Sequence, residues 1–407
     1  MNLKSPTAKE VTDSSVPHVP EFILSAIYQQ LSQVVPTWSE LGLMGGISGI
    51  GLFLKEYERA FPGQSQNLTQ LVKERLIEEV NSIGSLDLSD GLMGVTWALN
   101  HLFDPSEKDE DWKDFEREVI ELAISNFEQN CQERNTDYLY GAGGDLFFLI
   151  ESGALDFEEY ENRIRATLAL LIEQMQGEEG KAYFLSPPKH GVAPLINLGI
   201  AHGMPAYVAL FSRISSWKNW SEVDHALTGM KGFMQSIARF DQPSCFPYSI
   251  EPDNPEKTSY DSRLAWCYGD PGIALQWIRQ AELTQDTDTY DWALNIALHA
   301  SLRRDKQKNG LVDPAFCHGT VGMAHLFQLL AKQTDREEFL EASNHWIQHT
   351  VKDIQTGELL QRFTITHNGE TMEDYGILTG IAGIGMTLLG QNHSIQVPWD
   401  HPFLINY

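Results

Sequence analysis

Two short stretches carry side chains whose types and spacing suit a metal ion: Trp266-Cys267-Tyr268-Gly269-Asp270-Pro271-Gly272 and Phe316-Cys317-His318-Gly319-Thr320-Val321-Gly322. Each sets a metal-ligating residue just ahead of a glycine turn that opens an apolar segment. Catalytic zinc is commonly held by three protein ligands with a fourth position open, and two cysteines with one histidine form an attested set. Cys267, Cys317 and His318 supply it. The adjacent Cys317-His318 pair can share one ion only if the backbone splays the two side chains, and Gly319 directly after them permits such a turn. One cysteine before a glycine usually just packs in a core. Two in equivalent positions, one with a histidine attached, point to metal. Two thiolates and a neutral imidazole would leave bound Zn²⁺ formally uncharged, so an incoming thiol would bind as thiolate without meeting an anionic site. That favours sulfur chemistry over hydrolysis.

Sulfur chemistry needs protons moved, and two more residues beside glycine turns offer an acid-base pair. His202 stands in Ala201-His202-Gly203, and Asp137 in Asp137-Tyr138-Leu139-Tyr140-Gly141. A lone histidine is more often a satisfied core residue and a lone aspartate more often a cap, so the pair matters only if the fold brings it to the metal ligands. The remaining cysteines, Cys131 and Cys245, leave the total at four, too sparse for a disulfide scaffold.

A fold that gathers these residues is written in the repeats. A Gly-x-x-Gly-like turn recurs at Gly46 to Gly49, Gly91 to Gly94, Gly141 to Gly144, Gly203, Gly269 to Gly272, Gly319 to Gly322 and Gly380 to Gly383. The steps between first glycines are 45, 50, 62, 66, 50 and 61 residues, too irregular for a fixed-period solenoid but suited to helix pairs with loops of variable length. After each turn comes an apolar segment such as Met323 to Leu330, which reads as a buried helix. Before each comes a longer amphipathic one, for example Trp112, Phe115, Val119 and Leu122, which reads as a helix with one wet face. Ser221 to Asp224 and Thr334 to Glu337 read as capping boxes that start two of these helices. The expected fold is all-α: a double α-toroid, or α/α barrel, of seven inner helices ringed by seven outer helices. All glycine turns then meet at one mouth, where helix N-termini favour developing negative charge. Strand signals are scarce; Ala182 to Leu185 and Leu359 to Thr366 are expected to form a local hairpin.

The 29 basic and 56 acidic residues leave a formal charge of −27, which argues against nucleic acid or anionic membrane surfaces as partners. No run is long and apolar enough to span a bilayer, and Met1 to Pro20 lacks a signal-peptide core. Residues 1–19 are expected to form a flexible tail, 20–407 a single domain, and the protein to be cytoplasmic and not integral to a membrane.

The motifs Trp-Cys-Tyr-Gly-x-x-Gly at 266–272, Cys-His-Gly-x-x-Gly at 317–322 and Leu-Thr-Gly-Ile-Ala-Gly at 378–383, with His-Gly upstream, closely resemble the lanthionine synthetase C family of lantibiotic cyclases and LanC-like proteins. The resemblance runs through all seven repeats. It implies a zinc cofactor on Cys267, Cys317 and His318, catalytic roles for His202 and Asp137, and further active-site roles for Arg263 and Tyr268. It also implies the reaction, addition of peptide cysteine to dehydroalanine or dehydrobutyrine to give thioether rings. The implied partners are a dehydrated precursor peptide and the dehydratase and transporter of such a pathway, with peripheral association to a membrane-bound biosynthetic complex. The chain departs from the family at Met204-Pro205-Ala206, where a second glycine is usual; proline is tolerated in a first helical turn, so the helix start is expected to survive. Three other readings compete: a non-cyclising LanC-like protein that binds glutathione or another thiol, a zinc-dependent prenyltransferase-type alkylating enzyme, and a glycan-processing α/α barrel. The second wants a basic diphosphate pocket, which the turns lack. The third wants paired carboxylates, for which only Asp137 and Asp270 stand out.

Overall fold

Every glycine turn found in the sequence starts a helix in the computed structural model, which describes residues 19–186, 193–356, 364–367 and 370–406. Residues 1–18 of the expected tail therefore lie outside the described residues. Fourteen α-helices alternate along the described residues. The first seven are α1 (Glu21–Val34), α2 (Ile47–Ala60), α3 (Leu68–Glu79), α4 (Leu92–Leu102), α5 (Glu110–Gln132), α6 (Ala142–Glu151) and α7 (Glu158–Glu173). The next seven are α8 (Met204–Trp217), α9 (Ser221–Ile237), α10 (Asp270–Thr284), α11 (Thr287–Ser301), α12 (Thr320–Thr334), α13 (Glu337–Thr356) and α14 (Ile381–Asn392).

The even-numbered helices form a closed inner ring. Each packs on the next, from α2 to α4 and onward, and α14 returns to pack on α2. At the closure, the Val19 N–H donates to Asn392 Oδ1 at 3.3 Å, and Asn392 Nδ2 donates to the Val19 carbonyl at 2.8 Å. The odd-numbered helices ring them. Sequence explains the difference: α12 buries every residue from Thr320 to Phe327, whereas α5 buries only a stripe through Trp112, Val119, Ile120, Ala123, Ile124, Phe127 and Cys131. No helix among the described residues is long and apolar enough to cross a membrane.

A glycine caps the start of each inner helix because nothing larger fits. A Cβ at Gly319 would lie 2.4 Å from the Ala315 nitrogen, and one at Gly322 would lie 1.8 Å from the Phe316 carbonyl oxygen. At the turn that lacks the second glycine the helix start survives: α8 begins at Met204 with Pro205 in its first turn. Neither expected capping box forms. Ser221 is already inside α9, with Trp220 at the cap, and Thr334 is the last residue of α12, its hydroxyl donating to the Leu330 carbonyl at 2.7 Å. Asp109 and Asp286 cap α5 and α11 instead, accepting from the Trp112 and Thr289 amides, each at 3.0 Å.

The turns are laced together by backbone hydrogen bonds around the mouth. The Cys317 carbonyl accepts from the Trp266 amide at 2.9 Å, and the Cys317 amide donates to the Leu378 carbonyl at 2.8 Å. The lacing continues from Leu378 to Met44 at 3.1 Å, Met44 to Ser89 at 3.0 Å and Ser89 to Leu139 at 3.3 Å. Among the described residues it stops there: no backbone bond joins Ala201 to Leu139 or to Cys267.

Among the described residues, three small antiparallel pairs decorate the ring. The two stretches expected to pair belong to separate hairpins. Lys181–Tyr183 is β2, paired with β1 (Gln176–Glu178); of the second stretch, 359–363 lies outside the described residues, and Thr364–His367 pairs with Glu370–Glu373. Ile196–Asn197 also pairs with Ser249–Ile250, a pairing with no sequence signal, just ahead of the His202 turn.

Beneath the turns the lumen of the inner ring is blocked by the chain itself. Beyond α14, a strap rises between the inner helices: the Val397 amide bonds Glu56 of α2 at 2.9 Å, Asp400 meets His325 of α12 at 2.8 Å, and Phe403 reaches the cysteine turns. There Leu404, at φ +56°, turns the strap back toward Gln276 of α10, whose side chain donates to the Leu404 carbonyl. The mouth is thus a basin with a floor.

Candidate active site

The cysteine turns meet because their backbones are bonded to each other. With the Trp266 and Cys267 amides both directed at the Cys317 carbonyl, the ligand atoms of Cys267, Cys317 and His318 lie within 4.8 Å of one another. Cys267 and Cys317 are only 9% and 8% exposed. A hydrogen bond from the Cys317 thiol draws the Cys267 thiol well below its ordinary pKa, against burial, and His318 beside it adds to the effect. A soft, close, buried S₂N set of this kind fits a divalent metal such as zinc with one position left for substrate. The carboxylate of Asp313, fixed by the Ala315 amide at 2.9 Å, lies 3.7 Å from His318 Nε2, beyond hydrogen-bond reach, and acts on the imidazole through its charge.

Arg263 begins the same turn as Cys267. Its backbone amide and its Nε both donate to the Tyr248 hydroxyl, at 3.0 and 3.2 Å, and its charge lies close enough to favour thiolate at both cysteines. Gly269 sits at φ +152°, a backbone angle that side chains rarely adopt, and lets this turn close over the Arg263 and Ala265 carbonyls.

Opposite them stands the acid-base pair. His202 Nδ1 lies 3.0 Å from Asp137 Oδ2, while Asp137 Oδ1 accepts from the Leu139 and Tyr140 amides at 2.9 and 3.1 Å. One carboxylate oxygen is spent on fixing the turn and the other is left to orient the imidazole. The side chain of His202 is 33% exposed. Tyr268 bridges the two halves: it follows Cys267, its ring lies 6.4 Å from that of His202, and its hydroxyl accepts from Asn197 Nδ2 at 2.9 Å. Burial pushes its phenol above the ordinary value, so it stays protonated. All seven residues singled out in the sequence therefore lie at the turns of one mouth.

Asn197, Asp313 and Tyr140 escaped the sequence reading. Tyr140 lies parallel to the His202 ring within 10°, at 6.3 Å. A register signal existed: Asn197, Arg263 and Asp313 each stand six positions before the first glycine of their turn. Asp270 proves unavailable for chemistry. It is fully buried, accepts from the Cys245 and Phe246 amides at 2.9 and 3.1 Å, and faces Arg303 Nη1 at 3.6 Å. That removes one of the two carboxylates a glycan-processing barrel would need. Cys245, Asp270 and His299 also cluster closely, but the Arg303 guanidinium opposes a cation there.

A closed double ring of helices with thiol and imidazole side chains at its mouth defines a LanC-type α-toroid. The chain belongs to the lanthionine synthetase C-like family, whose model matches residues 37–404. It is 21% identical over 403 residues to the nisin biosynthesis protein NisC of Lactococcus lactis subsp. lactis, covering 90% of each chain. Its fold is similar to that of the solved nisin cyclase, with a TM-score of 0.71, 18% identity, and coverage of 95% of this chain and 97% of the other.

Proposed function

We propose that this protein is a zinc-dependent lanthipeptide cyclase, closing thioether rings by adding cysteine thiols of a dehydrated peptide to dehydroalanine or dehydrobutyrine. The observation that carries the reading is the hydrogen-bonded Asp137–His202 pair, at 3.0 Å, standing across one mouth from the Cys267, Cys317 and His318 group. Cys267, Cys317 and His318 would hold the zinc. The metal supplies a positive charge that acidifies a substrate thiol at neutral pH. The thiol proton passes to His202 as the sulfur forms its bond to the β-carbon of the dehydro residue, and the displaced π electrons move onto the carbonyl oxygen. His202 delivers a proton to the α-carbon, held in line by Asp137. Arg263 faces the developing enolate charge, and the Tyr268 hydroxyl, fixed by Asn197, orients the peptide. The plugged lumen keeps the substrate on the turn side.

We also assign residues 20–407 to a single domain and the protein to the cytoplasm, where a reducing environment keeps free thiols available. Its peptide is expected to come from a dehydratase. The test uses a dehydrated peptide containing cysteine, incubated with zinc-loaded or zinc-depleted protein, with free thiols counted against time. Ring closure does not change mass, so thiol loss that requires zinc supports the reading. Thiols that persist with zinc-loaded protein would overturn it and favour a thiol-binding role.

A further inference from the structure

Phe403 is part of the buried core and also stands directly behind the two cysteine turns. Its fully buried ring packs on Trp266 at 5.1 Å and on Phe316 at 4.4 Å between centroids, and its carbonyl accepts the Trp266 indole N–H at 2.7 Å. Trp266 and Phe316 are the residues directly before Cys267 and Cys317. One side chain from the strap therefore touches both cysteine turns from beneath, one residue from each thiol.

The strap is held so that this tip cannot drift. Asp400 is bonded to His325 at 2.8 Å and His401 to Glu151 at 3.2 Å, while the Pro402 carbonyl accepts from the Tyr138 hydroxyl at 2.8 Å. These anchors come from α12, α6 and the turn before α6, so the tip is fixed relative to the ring. The backbones of the two cysteine turns meet at the Cys317 carbonyl and, a few residues earlier, where the Leu264 amide donates to the Asn309 carbonyl at 3.0 Å, and Phe403 braces both turns from the side away from the thiols.

We propose that Phe403 is a positioning residue for the metal ligands: a wedge that sets the separation of Cys267 and Cys317 and so raises the affinity of the site. This rests on the reading of Cys267, Cys317 and His318 as zinc ligands. The wedge acts through packing, since no atom of Phe403 is a ligand. A strap acting only as core would stabilise the fold without tuning the site.

The experiment measures zinc affinity of the full chain by competition with a chromogenic chelator, alongside thermal melting. F403A removes the wedge, F403L keeps most of its volume, and I405A removes a buried strap side chain that lies past the turn at Leu404. F403A is expected to weaken zinc about tenfold or more, F403L to restore most of that loss, and I405A to lower the melting temperature while holding zinc affinity within about twofold. Wild-type affinity in folded F403A would overturn the proposal, as would equal losses in F403A and I405A. If F403A does not fold, W266F carries the test: it keeps a ring but removes the N–H to Phe403, and it should weaken zinc about threefold, with unchanged affinity counting against the wedge. Failure of the wild-type chain to bind zinc in a Cys267-dependent way would instead overturn the zinc assignment, so the two failures are distinguishable.

Discussion

The two halves of the mouth are built differently. On the cysteine side the turns are laced by backbone hydrogen bonds from Trp266 through Cys317 to Leu378 and on to Met44, and both thiols are less than one-tenth exposed. On the histidine side no such backbone bond joins Ala201 to its neighbouring turns among the described residues; the turn carrying His202 is held by the backbone pairing of Ile196 to Leu198 with Tyr248 to Ile250 and by the side-chain links of His202 to Asp137 and Asn197 to Tyr268. A metal site gains from ligands that are fixed before the ion arrives. On the proposed reading, a proton donor that must reach an α-carbon of a bound peptide gains from a turn held less tightly. On that reading, the contrast gives the more tightly laced turns to the metal ligands and the less tightly laced turn to the proton donor.

The largest way to break this contrast is to remove a thiol. Cys267→Ala or Cys317→Ala should abolish stoichiometric zinc, measured by elemental analysis, and reduce ring closure by at least about a hundredfold. Either variant cyclising at the wild-type rate would refute the division. His202→Ala should keep its zinc while ring closure falls roughly 10²- to 10³-fold, read by thiol counting; loss of zinc in this variant would show that the halves are not separable. Asp137→Asn, which spares the imidazole but weakens its orientation, should cost about tenfold in rate with zinc unchanged.

A subtler test concerns stability on the histidine side. Asp145 lies fully buried in α6 beneath the Asp137 turn and accepts from Asn126 and Asn130 of α5 at 2.9 and 2.7 Å. Burial pushes its carboxyl up to about 7, only partly offset by those amide bonds. Because the folded value is raised above an unfolded value of about 4, its contribution is fully present below about pH 4 and is lost as pH rises through about 7. Wild-type melting temperature should therefore fall relative to Asp145→Asn between pH 5 and pH 8; parallel curves would remove this residue from the account. The smallest effect sharpens the contrast directly. Amide exchange at Cys317, Leu378 and Met44 should be slower than at Ala201 and His202.

The ring and the ligands were legible in the sequence for the same reason: both are written in local pattern. Glycines recur because a Cβ at Gly319 or Gly322 would strike backbone, and Cys267 and Cys317 advertise themselves by preceding those glycines. What stayed hidden depends on distant partners. The strap from Val397 to Ile405 has neither helical nor strand period, and its burial is decided by Glu56, His325 and Trp266. The gap in the lacing is equally invisible, since Ala201-His202-Gly203 looks like every other turn. The capping boxes misled because a suitable tetrapeptide also fits inside a helix, as at Ser221, or at its end, as at Thr334.

Closure of the ring by α14 on α2 has a consequence for how the protein is made. A chain emerging from the ribosome displays Cys267 and Cys317 well before Leu378, which bonds the Cys317 amide, and before Phe403, which lies beneath both turns. Until the last repeat and the strap arrive, α2 lacks its neighbour α14, and the residues before both cysteines lack Phe403. The circle therefore shuts only once α14 and the strap have been made, so a product stalled before them leaves the Cys317 amide without its acceptor at Leu378 and Trp266 without Phe403.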